Sequence, residues 1–76
     1  MFDRITSDPA ILGGKPIIRG TRISVSLILE LLASGATRAD IVSKYPHLTN
    51  EDVEQAATYA AASVRNEVLF SVQVPA

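Results

Sequence analysis

A chain of 76 residues holds one domain, and one so short hides only roughly 60% of its unfolded surface, so its core is marginal unless something staples it. It contains no cysteine, which excludes disulfides and thiolate metal sites and fits a reducing compartment. The net charge is −1, no apolar run is long enough to span a bilayer, and the opening "MFDRITSDPA" has acids where a secretion signal needs bases. These features predict a cytoplasmic protein without a membrane segment and, for want of a staple, an oligomer.

Charge is unevenly spread along the chain. Arg4, Lys15, Arg19 and Arg22 face only Asp3 and Asp8 in residues 1–24, whereas Glu51, Asp52, Glu54 and Glu67 face only Arg65 in residues 51–76. The middle is balanced, with Arg38 and Lys44 against Glu30 and Asp40. A basic front and an acidic rear make the front the landing place for an anionic partner. Solvated faces of a small domain would produce much of the same pattern.

Residues 1–23 read as an arm of short strands and turns. Its stretch "GGKPIIRGTRI", residues 13–23, sets two turn signals around a few isoleucines and leaves no room for a helix or a long strand. A phosphate loop, an arm that touches nucleic acid and a hairpin that caps a core are all compatible with it.

Residues 24–67 form the predicted three-helix core. The first helix, 24–34, has Ser24 as N-cap and Gly35 as its stop. Ser26, Glu30 and Ser34 make one narrow polar stripe, and the rest is aliphatic. Such a helix must be covered on most of its circumference, which predicts a homodimer with Leu27 and Leu31, beside the polar stripe, at the seam. The second helix opens on a capping box, Thr37 with Asp40, and stops at Pro46. A second box, Thr49 with Asp52, opens the longest helix, where Val53, Ala56, Ala57, Ala60, Ala61 and Val64 fall on one apolar face. The tail, 68–76, alternates Phe70, Val72 and Val74 with Ser71 and Gln73 and reads as a short strand ended or confined to an edge by Pro75.

Several chemistries fail on the residues alone. A P-loop needs a glycine where Pro9 stands and a hydroxyl where Pro16 stands. His47, the single histidine, sits in a turn with no clustered ligands, so it is read as a turn residue and neither a metal ligand nor a general base. No serine has a nucleophile-elbow context. The acids 51, 52 and 54 suit a helix N-terminus for structural reasons. No enzyme, cofactor, metal or small-molecule substrate is expected.

The helix, short turn and helix of the middle give a helix-turn-helix arrangement, and double-stranded DNA is a candidate ligand. The first turns of the second of these helices, however, offer three carboxylates, leaving Asn50 and Gln55 to read bases. Phosphate contacts would then come from Lys15, Arg19 and Arg22, joined by Arg38 and Lys44.

"ITSDPAILGGKPIIRGTRISV", continued by "ELLASG", "YPHLT" and "EDV", closely resembles the domain-of-unknown-function 433 family, from about Arg4 to Ala62. Its specific core is Gly13 to Pro16 followed by Ile18 to Ile23. The resemblance implies an α+β, mainly α fold: a homeodomain-like or winged-helix-like three-helix domain with a short N-terminal hairpin and a short C-terminal strand. It also implies a VapB-type antitoxin that neutralises a PIN-like ribonuclease toxin and regulates itself through operator DNA. In this setting Ile17 and Ile23 turn inward and Lys15, Arg19 and Arg22 project from a rigid loop. An arginine could enter the toxin's carboxylate cluster; bracing of the fold by the same arginines, through Asp3, Asp8 or helix-end carbonyls, is the bland counterpart. The tail from Leu69 to Val74 could instead add to a toxin's sheet edge. A transcription regulator or interaction module without a toxin is the alternative function.

Overall fold

The computed structural model describes residues 2–71, with side chains through Arg65. The arm enters as β1 (Ile5–Thr6), antiparallel to β2 (Ile17–Ile18) in the register Ile5↔Ile18 and Thr6↔Ile17. A further bridge pairs Ile17 with Ser24. The expected N-terminal hairpin is present, with its first strand upstream of the Gly-Gly block. Ile17 and Ile18 are buried, and Ile23 packs against the core.

Three helices follow, and each boundary has a chemical cause. α1 (Val25–Ala33) starts where the extended Ser24 accepts the Leu27 amide on its hydroxyl at 3.0 Å. It ends in a Schellman motif: Gly35 takes φ +103°, and the amides of Ala36 and Gly35 reach the carbonyls of Leu31 and Leu32, both at 3.1 Å. That φ favours a residue without a β-carbon. α2 (Arg38–Lys44) opens on the reciprocal Thr37–Asp40 box and stops before Pro46. α3 (Asn50–Ser71) opens on the Thr49–Asp52 box, with the Asp52 amide 3.1 Å from the Thr49 hydroxyl and the Thr49 amide 3.0 Å from the Asp52 carboxylate.

Ile18, Val25, Ile28, Ile41, Leu48, Val53 and Ala56 form the core. Leu48 belongs to the α2–α3 turn, so the residue that reverses the chain also fixes the angle between the two helices. Leu29, Leu31 and Leu32 are partly buried against this cluster, whereas Leu27 is partly buried and outside it. The domain therefore covers more of α1 than the sequence implied, because α2 and α3 both pack on it. Of the two residues expected at a dimer seam, Leu31 packs in part against the core and Leu27 lies outside that cluster, and both are only partly buried.

As far as Arg65, the apolar face of α3 is most deeply buried near its start. Ala56 is buried, Ala61 is exposed and Val64 is 55% exposed. The strand expected from residue 69 is not formed at its start: α3 continues through Ser71. No glycine or proline stands between Pro46 and Pro75, so the helical hydrogen-bond ladder runs past the point where the side-chain alternation begins. The rest of that predicted strand lies outside the described residues. Among the described residues, no helix is long and apolar enough to cross a membrane.

One ion pair ties the arm to the helices. Arg4 Nε donates to Asp52 Oδ1 at 2.6 Å, and the Asp52 carboxylate is fully buried. Around it, the Arg4 amide donates to Gln55 Oε1 at 2.9 Å, and Gln55 Nε2 donates to Asp3 Oδ1 at 2.9 Å. Phe2 meets Tyr59 edge-on with ring centroids 5.3 Å apart. Burial pushes the Asp52 carboxyl up, but the Arg4 guanidinium and the Thr49 amide outweigh it and hold the group below its ordinary 3.8.

Asp52→Asn is expected to cost about 1.5–3 kcal/mol, the range for hydrogen bonds to charged groups, with about 4–8 °C of Tm lost per kcal/mol. A carboxyl whose folded value is lowered contributes stability that is present above its ordinary 3.8 and is lost as pH falls through the folded value. Thermal melts from pH 7 to pH 2 should therefore show a shallower acid loss in the variant. Some acid loss remains, because Asp3 and Asp40 are also lowered, chiefly by hydrogen bonds from Gln55 and Thr37 respectively. An unchanged acid limb would show that Asp52 does not couple to folding in this way.

Candidate interaction site

The predicted cations of the arm sit on two consecutive turns, both built by the main chain. In the first, the Asp8 carboxylate accepts the Ala10 amide at 2.9 Å and the Asp8 carbonyl accepts the Ile11 amide at 2.8 Å. Leu12, Gly13 and Gly14 then take φ values of 51°, 66° and 86° in succession. A β-carbon at Gly13 would meet nothing within 4 Å, so glycine is needed there for its backbone angle and not for space. Lys15 leaves this turn extended, at φ −61° and ψ 150°.

The second turn spans Ile18 to Ile23. Gly20 takes φ 81°, and the Thr21 amide closes on the Ile18 carbonyl at 3.0 Å, as in a type II turn with glycine third. The Thr21 hydroxyl locks it, donating to the Ile18 carbonyl at 2.8 Å and accepting the Ile23 amide at 3.0 Å. The Ile18 amide reaches back to the Ile23 carbonyl at 2.9 Å. Arg19 and Arg22 therefore stand at the tip of a rigid loop.

Their fates differ. Arg19 Nε donates to the Asp3 carbonyl at 2.8 Å, and its amide donates to the Arg4 carbonyl at 2.8 Å. The bracing role holds for Arg19. Arg22 is exposed and makes no hydrogen bond or ion pair among the described residues; the same is true of the Lys15 ammonium. Arg22 borders a groove of about 550 Å³ that includes Thr6, Ser7, Asp8 and Ile11. Lys15 borders a more apolar groove of about 420 Å³ between α1 and α3, which includes Pro16, Leu29, Tyr59 and Val64. A third depression, lined by Thr6, Ser7, Gly14, Pro16 and Tyr59 among others, shares residues with both and links them around the glycine turn.

The cations of α2 are engaged locally. Arg38 Nη1 lies 3.3 Å from Glu54 Oε2, an exposed pair of little energetic weight. Lys44 Nζ sits 5.8 Å from the centroid of the Tyr45 ring. At the start of α3, Glu51 and Glu54 are exposed and Asp52 is buried. Gln55, one of two residues available for base reading, is already bonded to Arg4, Asp3 and Glu51. The helix-turn-helix shape is present, while the start of α3 exposes Asn50, Glu51 and Glu54 and commits Asp52 and Gln55 to the arm. His47 is exposed in the α2–α3 turn, and no group of His, Cys, Asp or Glu among the described residues could hold a metal ion.

Sequence reasoning missed Leu12, the roles of Arg4 and Gln55, and the part of Tyr59 in the grooves. The Gly-Gly pair signals positive φ at the glycines, but no local pattern announces it at Leu12, a residue type that avoids that region. The Arg4–Asp52 and Asp3–Gln55 contacts join residues 48 and 52 positions apart, and no local pattern announces them.

Comparison with known proteins agrees with this architecture. A stretch of 59 residues is 37% identical to the uncharacterized protein y4eO of Sinorhizobium fredii (strain NBRC 101917 / NGR234), covering 78% of this chain and 27% of that protein. The chain thus spans about a quarter of that longer relative. The crystal structure of a DUF433 member protein from Anabaena variabilis ATCC 29413 superposes with a TM-score of 0.78 at 31% identity, over 84% of this chain and 63% of that one. The family model described as "Protein of unknown function (DUF433)" matches residues 5–60, from β1 into α3. The chain belongs to the DUF433 family.

Proposed function

We propose that this domain is a non-catalytic, antitoxin-like regulator of the cytosol that binds a PIN-like ribonuclease toxin and neutralises it with a loop cation. The observation that carries this reading is Arg22: a guanidinium held on a loop locked by Thr21, with no internal partner among the described residues, beside a groove. An arginine fixed in this way offers a carboxylate cluster a forked, bidentate contact with little ordering left to do. Lys15, on the neighbouring turn, adds a second cation to the same side of the chain's charge distribution. Arg19 contributes by holding the loop against the arm.

Operator DNA is the second proposed ligand, reached through Lys15, Arg22 and the α2 cations, since the start of α3 repels phosphate. The domain acts as a homodimer in this reading, with Leu27 and Leu31 at the seam, Leu27 being the one that lies outside the core cluster. An interaction module without a toxin would use the same loop surface.

Arg22→Lys is expected to weaken neutralisation, since an ammonium cannot make the forked contact, while truncation after Asn66 has little effect. Growth of cells co-expressing each variant with the product of the adjacent gene reads this out. Loss of rescue on truncation with full rescue by Arg22→Lys would move the contact to the C-terminal side, and a harmless adjacent gene would favour the toxin-free module. For DNA, a filter-binding titration across salt should give a log-log slope of about −0.9 per phosphate neutralised, and Glu51→Ala should preserve or strengthen binding. Weaker binding by a folded Glu51→Ala protein would place the DNA on the wrong face. Light scattering at micromolar concentration should give a dimer for the native chain and a monomer for Leu27→Asp; a dimeric variant would exclude Leu27 from the seam.

A further inference from the structure

Leu12 is placed against its own chemistry. Its side chain is 50% exposed and its backbone sits at φ 51°, a region that bulky L-residues avoid because the β-carbon crowds the carbonyl oxygen. Its successors reach the same region as glycines, without that crowding. Val64 is comparably exposed but lies in a regular helix, so its backbone bears no such strain.

The main-chain bonds of this turn do not require leucine. The turn is held by main-chain bonds from the Gly14 amide to the Ile11 carbonyl at 3.0 Å and from the Lys15 amide to the Leu12 carbonyl at 3.4 Å. Glycine or asparagine would form them with less strain. Leu12 is absent from the hydrophobic core and from the partly buried residues packed against it. The fold therefore bears a strained backbone and a half-exposed apolar side chain at one position. Such outliers persist where they serve binding.

We propose that Leu12 is the apolar anchor of the partner contact, held out by the left-handed turn to enter an apolar socket on a protein whose carboxylates receive Lys15 and Arg22. This rests on the protein-partner reading above and names the kind of surface it meets. The Lys15 amide is bonded to the Leu12 carbonyl, so the apolar group and the first cation arrive on one rigid unit. A socket that takes both is dry at its centre and acidic at its rim, which is the anatomy of a protein interface. A nucleic-acid backbone supplies the charge without the dry socket.

The test compares the full chain with Leu12→Asn and Leu12→Met in two measurements: thermal melting, and calorimetric binding to the purified product of the adjacent gene. Asparagine tolerates positive φ, so Leu12→Asn should melt a few degrees higher while binding at least about tenfold more weakly, the loss expected for one buried leucine. Leu12→Met should bind within a fewfold of the native chain. A lower Tm for Leu12→Asn overturns the proposal by showing that leucine serves the fold. Equal binding by Leu12→Asn and native chains overturns the anchor alone. Absence of binding by the native chain overturns both the anchor and the reading it rests on.

Discussion

Everything the front of this molecule presents depends on the buried Asp52 carboxylate. One oxygen takes Arg4 from the arm at 2.6 Å, and the other closes the capping box of α3 on the Thr49 amide at 3.0 Å. A single group thus starts the longest helix and anchors the segment that leads into β1. Burying a carboxylate is costly unless its oxygens are bonded, and here both are. Because β1 pairs with β2, and β2 leads directly into the second glycine turn, the anchor fixes where Arg22 stands relative to the helices. Arg19 reinforces it from the other side by bonding the Asp3 carbonyl.

This arrangement explains how a helix-turn-helix shape can lack a helix-turn-helix reading surface. In a DNA reader, the first turns of the recognition helix keep their polar groups free for base edges. In this chain Asp52 and Gln55 turn toward the arm, Glu54 meets Arg38, and Glu51 meets Gln55. What remains exposed there is Asn50 beside two carboxylates, Glu51 and Glu54, which repel phosphate. The electropositive, preorganised surface has moved to the loops before α1. Shape and charge therefore point to different faces of the same domain.

The sequence made the local structure legible where a chemical signal was itself local. Ser24, Gly35, Thr37 with Asp40, Pro46, and Thr49 with Asp52 each state a helix boundary within a few residues, and each boundary lies where the pattern put it. The inward direction of Ile17 and Ile23 was equally readable. Three features were not. Coverage of α1 depends on how α2 and α3 close around it, so the fate of Leu31 could not follow from periodicity. The choice of Arg19 as the brace, with Arg22 left unpaired among the described residues, depends on where Asp3 lies after folding. The end of α3 was misread because alternation over residues 70–74 competes with helix propagation, and no breaker stands between Arg65 and Ser71 to stop the helix. The candidate site was thus legible as a segment, and its division of labour was not.

The extent of the family match bears on where a shared function can reside. Residues 5–60 include β1, both left-handed turns, Lys15, Arg19, Arg22 and every core residue from Ile18 to Ala56. They exclude residues 61–76, among which Ala61 and Val64 are exposed. Among the described residues the core lies inside the matched range, its last members being Ala56 and the partly buried Tyr59 packed against it. Within that range the double turn is the one place where a strained non-glycine backbone, unpaired cations and grooves coincide, which sets it apart from the acid-rich start of α3.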